Sequence, residues 1–242
     1  MEEVDPDAIH AARNSLRRQL AQALRGELLA AYNAHAVPGP YSPDAAAAGK
    51  RSMRNLCLGY LMELEDAEVR ALALHQFNGA DNMTDIMAAL AALANCDCAE
   101  RARALDKFYA KWKQEPLVVD KWLAVQASSR LPGTLNEVKK LLAHPAFDLH
   151  NPNKVYALIR SFCSNHVRFH AADGGGYGFL ADQVIAIDGF NPQVAARMAR
   201  AFDRWKKFDA GRRKLAQAAL ERIRDATGLS NDVAEIVTKA LV

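Results

Sequence analysis

Apolar residues recur along this chain three and four positions apart, and no useful stretch alternates with a period of two. That spacing predicts helices with one buried face. Asp5-Pro6 opens the first helix, since aspartate caps a helix and proline fits its first turn. Ile9, Leu16, Leu20, Leu24 and Leu28 mark its apolar stripe as far as about Asn33. His35 to Tyr41, with Pro38, Gly39 and Pro40, reads as a loop. Ser42-Pro43-Asp44 starts a second helix reaching about Leu64, and Asp66 a third that stops at Asn78-Gly79. Asn82 opens a fourth, with Met83, Ile86, Met87, Leu90 and Leu93 inward. Asp97 caps a fifth through Arg101, Leu105, Phe108 and Trp112, and Pro116 begins a sixth to about Ser129.

Leu131-Pro132-Gly133-Thr134 is a turn and cap. Leu135, Val138, Leu141 and Leu142 then form a short amphipathic helix, closed by His144-Pro145. Asn151-Pro152 opens another through Val155, Leu158, Ile159 and Phe162. A glycine cluster interrupts the pattern, and helix resumes at Gln183 to Ile187. Asn191-Pro192 caps a helix through Val194, Met198, Ala201 and Trp205. Asp209 caps the next, through Leu215, Leu220 and Ile223; Gly228 stops it, and Ser230 caps the last helix to Leu241. About a dozen helices joined by short polar turns predict an all-α fold. The antiparallel helices stack as an α-α superhelix of the armadillo or HEAT kind, in a single domain over residues 1–242. The concave surface of such a stack is its binding face.

Composition agrees. Half of the residues are apolar and only 7% are aromatic, which favours helix over sheet. A net charge of +3 is too small to imply a polyanion partner for the whole chain. The charge is uneven, however. Residues 191–242 hold eleven Lys or Arg against six Asp or Glu, while the first 49 hold four against six. The opening MEEVDPDAIH is acidic, and neither a secretory signal nor a membrane span appears. Of the four cysteines only Cys96 and Cys98 are close, and one intervening residue is too tight for usual zinc or disulfide spacings. A reduced, cytoplasmic protein is expected.

Several patterns invite chemistry. His166 and His170 share a helical face, as in the H-E-x-x-H of zinc peptidases, but Val167 stands where the general base belongs. Asp173 could join them only if the chain turned there. Two polar histidines near a loop account for the pair better than metal does. Gly174 to Gly178 lacks the G-K-[ST] of a phosphate loop and follows no predicted strand. Its glycines are expected to serve positive φ or close approach, with Asp173 capping the helix that follows. Cys163 stands one turn from His166, yet nothing else marks a nucleophile. Arg197, Arg200, Arg204 and Lys207 form a ladder on one helix face. Such a ladder is either a solvated stripe or a clamp for carboxylate or phosphate, whose geometry suits guanidinium.

HPAFDLHNPNKVYALIRSF resembles the segment before the glycine loop in bacterial aminopeptidase N, and Phe169, His170, Asp173, Gly174, Gly176, Tyr177 and Phe179 resemble that family's F-H-A-x-D-G-x-G-Y-x-F-L pattern. Asn191 to Arg197 resembles that family's N-P-Q-V-A-x-R, and KKFDAGRR and LSNDVAEIVTKAL are also similar. The resemblance is strong over residues 131–242 and less distinctive before them. It implies the C-terminal helical domain of a zinc-dependent alanyl aminopeptidase of the gluzincin class. In that family the zinc, the H-E-x-x-H helix and the G-x-M-E-N motif lie in a catalytic domain. Neither motif occurs here. The chain is thus expected to hold no catalytic residue, metal or cofactor of its own. Its expected partners are the parent's catalytic domain and a peptide substrate.

By that resemblance the domain lids the active site and encloses a chamber for short peptides. Gln193 would stand near the side chain of the residue removed, and Arg197 near the downstream end of the peptide. Asp173, Gly174 and Tyr177 would shape the adjoining loop, which the additional Gly175 and Gly178 would loosen. The alternative is a free-standing helical-repeat module that binds nucleic acid or an acidic protein through its basic C-terminal face. An exposed apolar face on the isolated chain would favour a domain that belongs to a larger protein.

Overall fold

The computed structural model describes residues 3–242. It is helical almost throughout, and among the described residues extended pairing is limited to one parallel bridge between Val4 and Phe208. The chain forms two compact units, one of His10–Trp112 and one of residues up to Ile9 together with Lys113–Val242.

The first unit holds most of α1 (Pro6–Ala23), then α2 (Arg25–Ala34), α3 (Ala45–Leu61), a 3-10 turn (Met62–Leu64), α4 (Ala67–Gly79), α5 (Met83–Ala94) and α6 (Ala99–Trp112). Its capping follows the sequence. Asp44, Asp66 and Asn82 accept hydrogen bonds from the backbone N–H groups of Ala47, Val69 and Asp85. Leu58, Leu61, Leu90 and Leu93 are wholly buried. Inside, the Tyr32 hydroxyl donates to Gln76 Oε1 at 2.9 Å, and Gln76 Nε2 donates to Asn55 Oδ1 at 2.7 Å.

The first helix departs from expectation twice. It breaks at Leu24, where φ is −112° and ψ is 23°, rather than running on to Asn33. Its apolar stripe also faces solvent: Leu16 is 59% exposed and Leu24 43%. Among the described residues of α1, only Pro6 and Ala21 are buried. Periodicity reports which face favours burial, not that this chain supplies the cover.

The second unit holds α7 (Pro116–Ala127), α8 (Thr134–Leu142), α9 (Pro152–Val155), a π-helical turn (Tyr156–Arg160), α10 (Ser161–Ser164), α11 (His166–Phe169) and α12 (Gly175–Asp188). After these come α13 (Pro192–Ala199), 3-10 turns at Arg200–Phe202 and Trp205–Lys207, α14 (Ala210–Arg224) and α15 (Asn231–Leu241). Phe162, Phe169, Phe179, Tyr177 and Phe202 form its aromatic centre, with Phe162 meeting Phe179 edge-on at 5.4 Å and Phe169 meeting Tyr177 at the same separation. The Val4 N–H donates to Lys207 O at 2.8 Å, so the start of the chain belongs to this unit.

Two expectations about this unit are corrected. Helix resumes at Gly175, not at Gln183, and Gly174 and Gly176 make a tight junction at its start. Gly174 sits at φ +70°, and a Cβ on Gly176 would lie 2.2 Å from Phe169 O. Only glycine lets α12 start against α11 so closely. The helix from Pro192 also ends at Ala199 instead of running through Trp205. The Trp205 indole donates to Ala240 O on α15 at 2.9 Å, a tertiary bond that draws the chain off the helical path.

Candidate functional site

The functional geometry gathers where the π turn, α11 and the end of α13 meet. Asn191 Oδ1 accepts from Val194 N at 3.2 Å and Pro192 takes the first turn, which fixes α13. Gln193 and Arg197 then project from one face, both exposed. The Arg197 guanidinium donates to the Tyr156 hydroxyl at 3.3 Å. Tyr156 belongs to the π turn, and so does Arg160, whose guanidinium stands 5.8 Å from the Tyr156 ring. A π turn inserts one residue into the helical path, and such turns are frequent at functional sites.

Arg160 and Arg197 border a cleft of about 320 Å³. Arg160, Arg197, Arg200 and Arg204 line it with His166; Cys163, His170, Met198 and Phe208 form its buried floor. The predicted ladder is therefore real as a grouping but not as one helix face, because Arg200 and Arg204 follow the end of α13. Lys207 does not line the cleft. Gln193 lies one turn back along α13 and does not line it either. Sequence reasoning missed Arg160 and Tyr156. Their four-residue spacing was the available signal, but nothing local ties them to a helix some forty residues on.

The histidines have different fates. His170 is buried, its Nδ1 2.9 Å from the Tyr177 hydroxyl, and its ring lies 4.0 Å from Phe208. Burial, with lesser help from His166 and Arg212, pushes its pKa down to about 3. It is a neutral core residue rather than a polar side chain near a loop. His166 is exposed, with its ring edge-on to His170 at 5.6 Å. Among the described residues no group of three His, Cys, Asp or Glu is placed to hold a metal. Burial raises the Cys163 thiol far above its ordinary value, which disfavours a thiolate nucleophile.

The loop residues also sort by burial. Asp173 is exposed, and its Oδ1 accepts from Gly175 N at 2.9 Å, at the start of α12. Gly174 provides the left-handed residue. Tyr177 is 1% exposed and belongs to the core. Beneath them Arg212, itself buried, donates through Nε to His170 O at 2.6 Å and pairs with Asp209 and Asp7 at 2.5 Å.

Helices stacked in this way, with a charged cleft cut into one unit, define a helical-repeat protein. The chain belongs to the family described as domain of unknown function (DUF3458_C) ARM repeats, whose model matches residues 1–242. It is 40% identical to aminopeptidase N of Caulobacter vibrioides over 241 residues, 99% of this chain and 28% of that protein. It is likewise 40% identical to aminopeptidase N of Escherichia coli, covering 98% of this chain and 27% of that one. The crystal structure of Legionella pneumophila aminopeptidase A in complex with aspartic acid matches with a TM-score of 0.92 at 32% identity, over 100% of this chain and 29% of that chain. The chain thus corresponds to the C-terminal domain of aminopeptidase N-type proteins and spans little more than a quarter of its relatives' length. No helix among the described residues is long and apolar enough to cross a membrane.

Proposed function

We propose that this chain is the non-catalytic C-terminal part of a zinc-dependent aminopeptidase, where it covers the active site, limits access to it and helps position the peptide. The observation that carries this reading is the match of 98–99% of the chain to about a quarter of proteins named aminopeptidase N. Two features of the structure support it. The exposed leucines of α1 suit a surface covered by further polypeptide. Gln193 and Arg197 stand exposed on one helical face beside a cleft, as a peptide-positioning pair requires. Arg197 offers a fork of donors to a carboxylate or to peptide carbonyls, and Gln193 both donates and accepts.

In this reading zinc and the general base belong to the remainder of the protein. The residues here supply orientation and exclusion of water, which lower a barrier without touching the reacting bond. The free thiols of Cys57, Cys96, Cys98 and Cys163 suit a reducing compartment, and the cytoplasmic reading rests on them. The test mixes this chain with the separately made remainder of its parent protein and follows hydrolysis of alanyl peptides. Binding with restored or altered peptide hydrolysis is expected. A well-folded chain that neither binds the remainder nor changes its activity would overturn the reading.

A further inference from the structure

A second cavity, of about 260 Å³, lies wholly within the first unit, lined by residues between positions 37 and 85. Arg54 enters it from α3, His75 and Gln76 from α4, and Asp85 from the first turn of α5, with Asp81 on the link between the last two helices. One wall is a chain of hydrogen bonds. Gln76, itself buried, accepts from the Tyr32 hydroxyl at 2.9 Å and donates to Asn55 Oδ1 at 2.7 Å and to Asp85 O at 3.0 Å. Asn55 Nδ2 donates in turn to Asp85 Oδ1 at 2.8 Å, and Asn82 Nδ2 to Asp85 Oδ2 at 3.0 Å. Neutral amides thus fix the Asp85 carboxylate, and each of its oxygens keeps acceptor capacity.

The charges around this cavity are not matched inside the protein. Elsewhere in the same unit arginines meet carboxylates: Arg17 meets Glu63, and Arg25 meets Asp66 and Glu68. Arg54 forms no ion pair among the described residues. Its guanidinium lies 4.3 Å from the Tyr32 ring centre, Nη2 donates to the Tyr32 hydroxyl at 3.0 Å, and Nε is buried with no hydrogen-bond partner. A buried donor left unpaired is costly, so internal bonding alone does not account for this placement. Among the described residues the only side-chain donors to Asp81 and Asp85 are the amides of Asn55 and Asn82. One cation and two carboxylates therefore border one small space without pairing. A ligand with a single charge would leave one sign unanswered, whereas a zwitterion answers both with charge-assisted bonds. The volume lies below the roughly 300 Å³ at which pockets for drug-sized ligands begin, and Val37, Gly79 and Ala80 offer only shallow apolar contact. We propose that this cavity binds a free α-amino acid with a short side chain, Arg54 taking the carboxylate and Asp81 and Asp85 the ammonium. Gln76 is a positioning residue that acts through Asn55 and Asp85. The assignment does not depend on the peptide-cleaving reading of the parent protein.

The experiment titrates this 242-residue chain at constant ionic strength with L-alanine, L-alaninamide and N-acetyl-L-alanine, followed by residue-resolved NMR. L-Alanine is expected to bind and to shift the signals of residues 79–85. Alaninamide lacks the carboxylate and N-acetylalanine lacks the ammonium, so each is expected to bind roughly tenfold more weakly, in keeping with loss of a charge-assisted bond. Asp81 is exposed, so Asp81→Asn leaves the fold intact; it is expected to weaken L-alanine binding severalfold and to leave N-acetylalanine binding unchanged. Arg54→Met is expected to abolish the preference for L-alanine over alaninamide, and if that variant does not fold, Asp81→Asn decides alone. A spectrum that L-alanine leaves unchanged, equal binding of L-alanine and alaninamide, shifts confined to residues outside the cavity, or an L-alanine affinity untouched by Asp81→Asn would overturn the proposal.

Discussion

His170 Nδ1 and the Tyr177 hydroxyl lie 2.9 Å apart in the core of the second unit, and their hydrogen bond ties the segment before the glycines to the helix after them. Burial acts on both partners, pushing the histidine down to about 3 and raising the phenol above its ordinary value. The imidazole is therefore neutral when folded, and it takes up a proton more readily when unfolded. Its contribution to stability is present above the unfolded pKa of about 6.5 and is lost as pH falls toward about 3. The stability advantage of the wild type over His170→Gln is expected to shrink by up to about 1.4 kcal/mol per pH unit across that window. Denaturant unfolding of both proteins between pH 7 and pH 4 reads this directly. Identical pH dependence in the two would refute it.

Gly176 and Gly178 should respond to alanine with opposite signs. A Cβ at Gly176 would meet Phe169 O at 2.2 Å, a backbone atom that cannot swing away. Gly176→Ala is expected to cost about 3 kcal/mol or more. At Gly178, inside α12, an added Cβ meets nothing within 4 Å. Gly178→Ala is expected to stabilise by about 0.5–1 kcal/mol, by restricting the unfolded chain. Melting temperatures that move the same way would contradict this geometry.

Arg212 joins three segments of the second unit. Burial opposes its charge, and Asp209, Asp7 and Asp5 more than offset that, so its pKa is raised. Arg212→Met leaves the His170 carbonyl and the Asp209 carboxylate without their partner and is expected to cost about 3 kcal/mol. Asp7 is exposed, so Asp7→Asn is expected to cost less than about 1 kcal/mol. Chemical denaturation would rank the pair, and a larger loss at Asp7 would sink this account.

The exposed leucines of α1 lend themselves to the same comparison. Leu16→Gln with Leu20→Gln is expected to leave stability within about 1 kcal/mol while reducing self-association in light scattering. Leu90, fully buried on α5, gives the contrast: Leu90→Ala is expected to cost about 2–5 kcal/mol.

What the sequence disclosed follows the range of the forces involved. Caps are local, so Asp66, Asn82, Asn191, Asp209 and Ser230 were legible and all accept the expected backbone N–H groups. Gly174 was legible as a positive-φ position, but that Gly176 abuts Phe169 depends on how two helices cross. Leu16 and Leu24 carried a helical periodicity that this chain's own packing leaves exposed. Arg197, Arg200 and Arg204 could be grouped by spacing. Arg160 could not, because a π turn rather than an α turn aims it at them.

The hydrogen bond from Val4 to Lys207 has a consequence for the order of folding during synthesis. His10–Trp112 is one continuous stretch, so that unit has every residue it needs as soon as Trp112 is available. The other unit opens with residues before His10 and closes with residues beyond Lys207, so its earliest segment must wait while roughly two hundred residues are made. Until then Arg212, the counter-charge of Asp7, does not yet exist. The continuous unit is therefore expected to acquire protease resistance first in ribosome-stalled chains. The arginine cleft and the segment that ties the chain's start to α14 would mature last, when the closing helices are released.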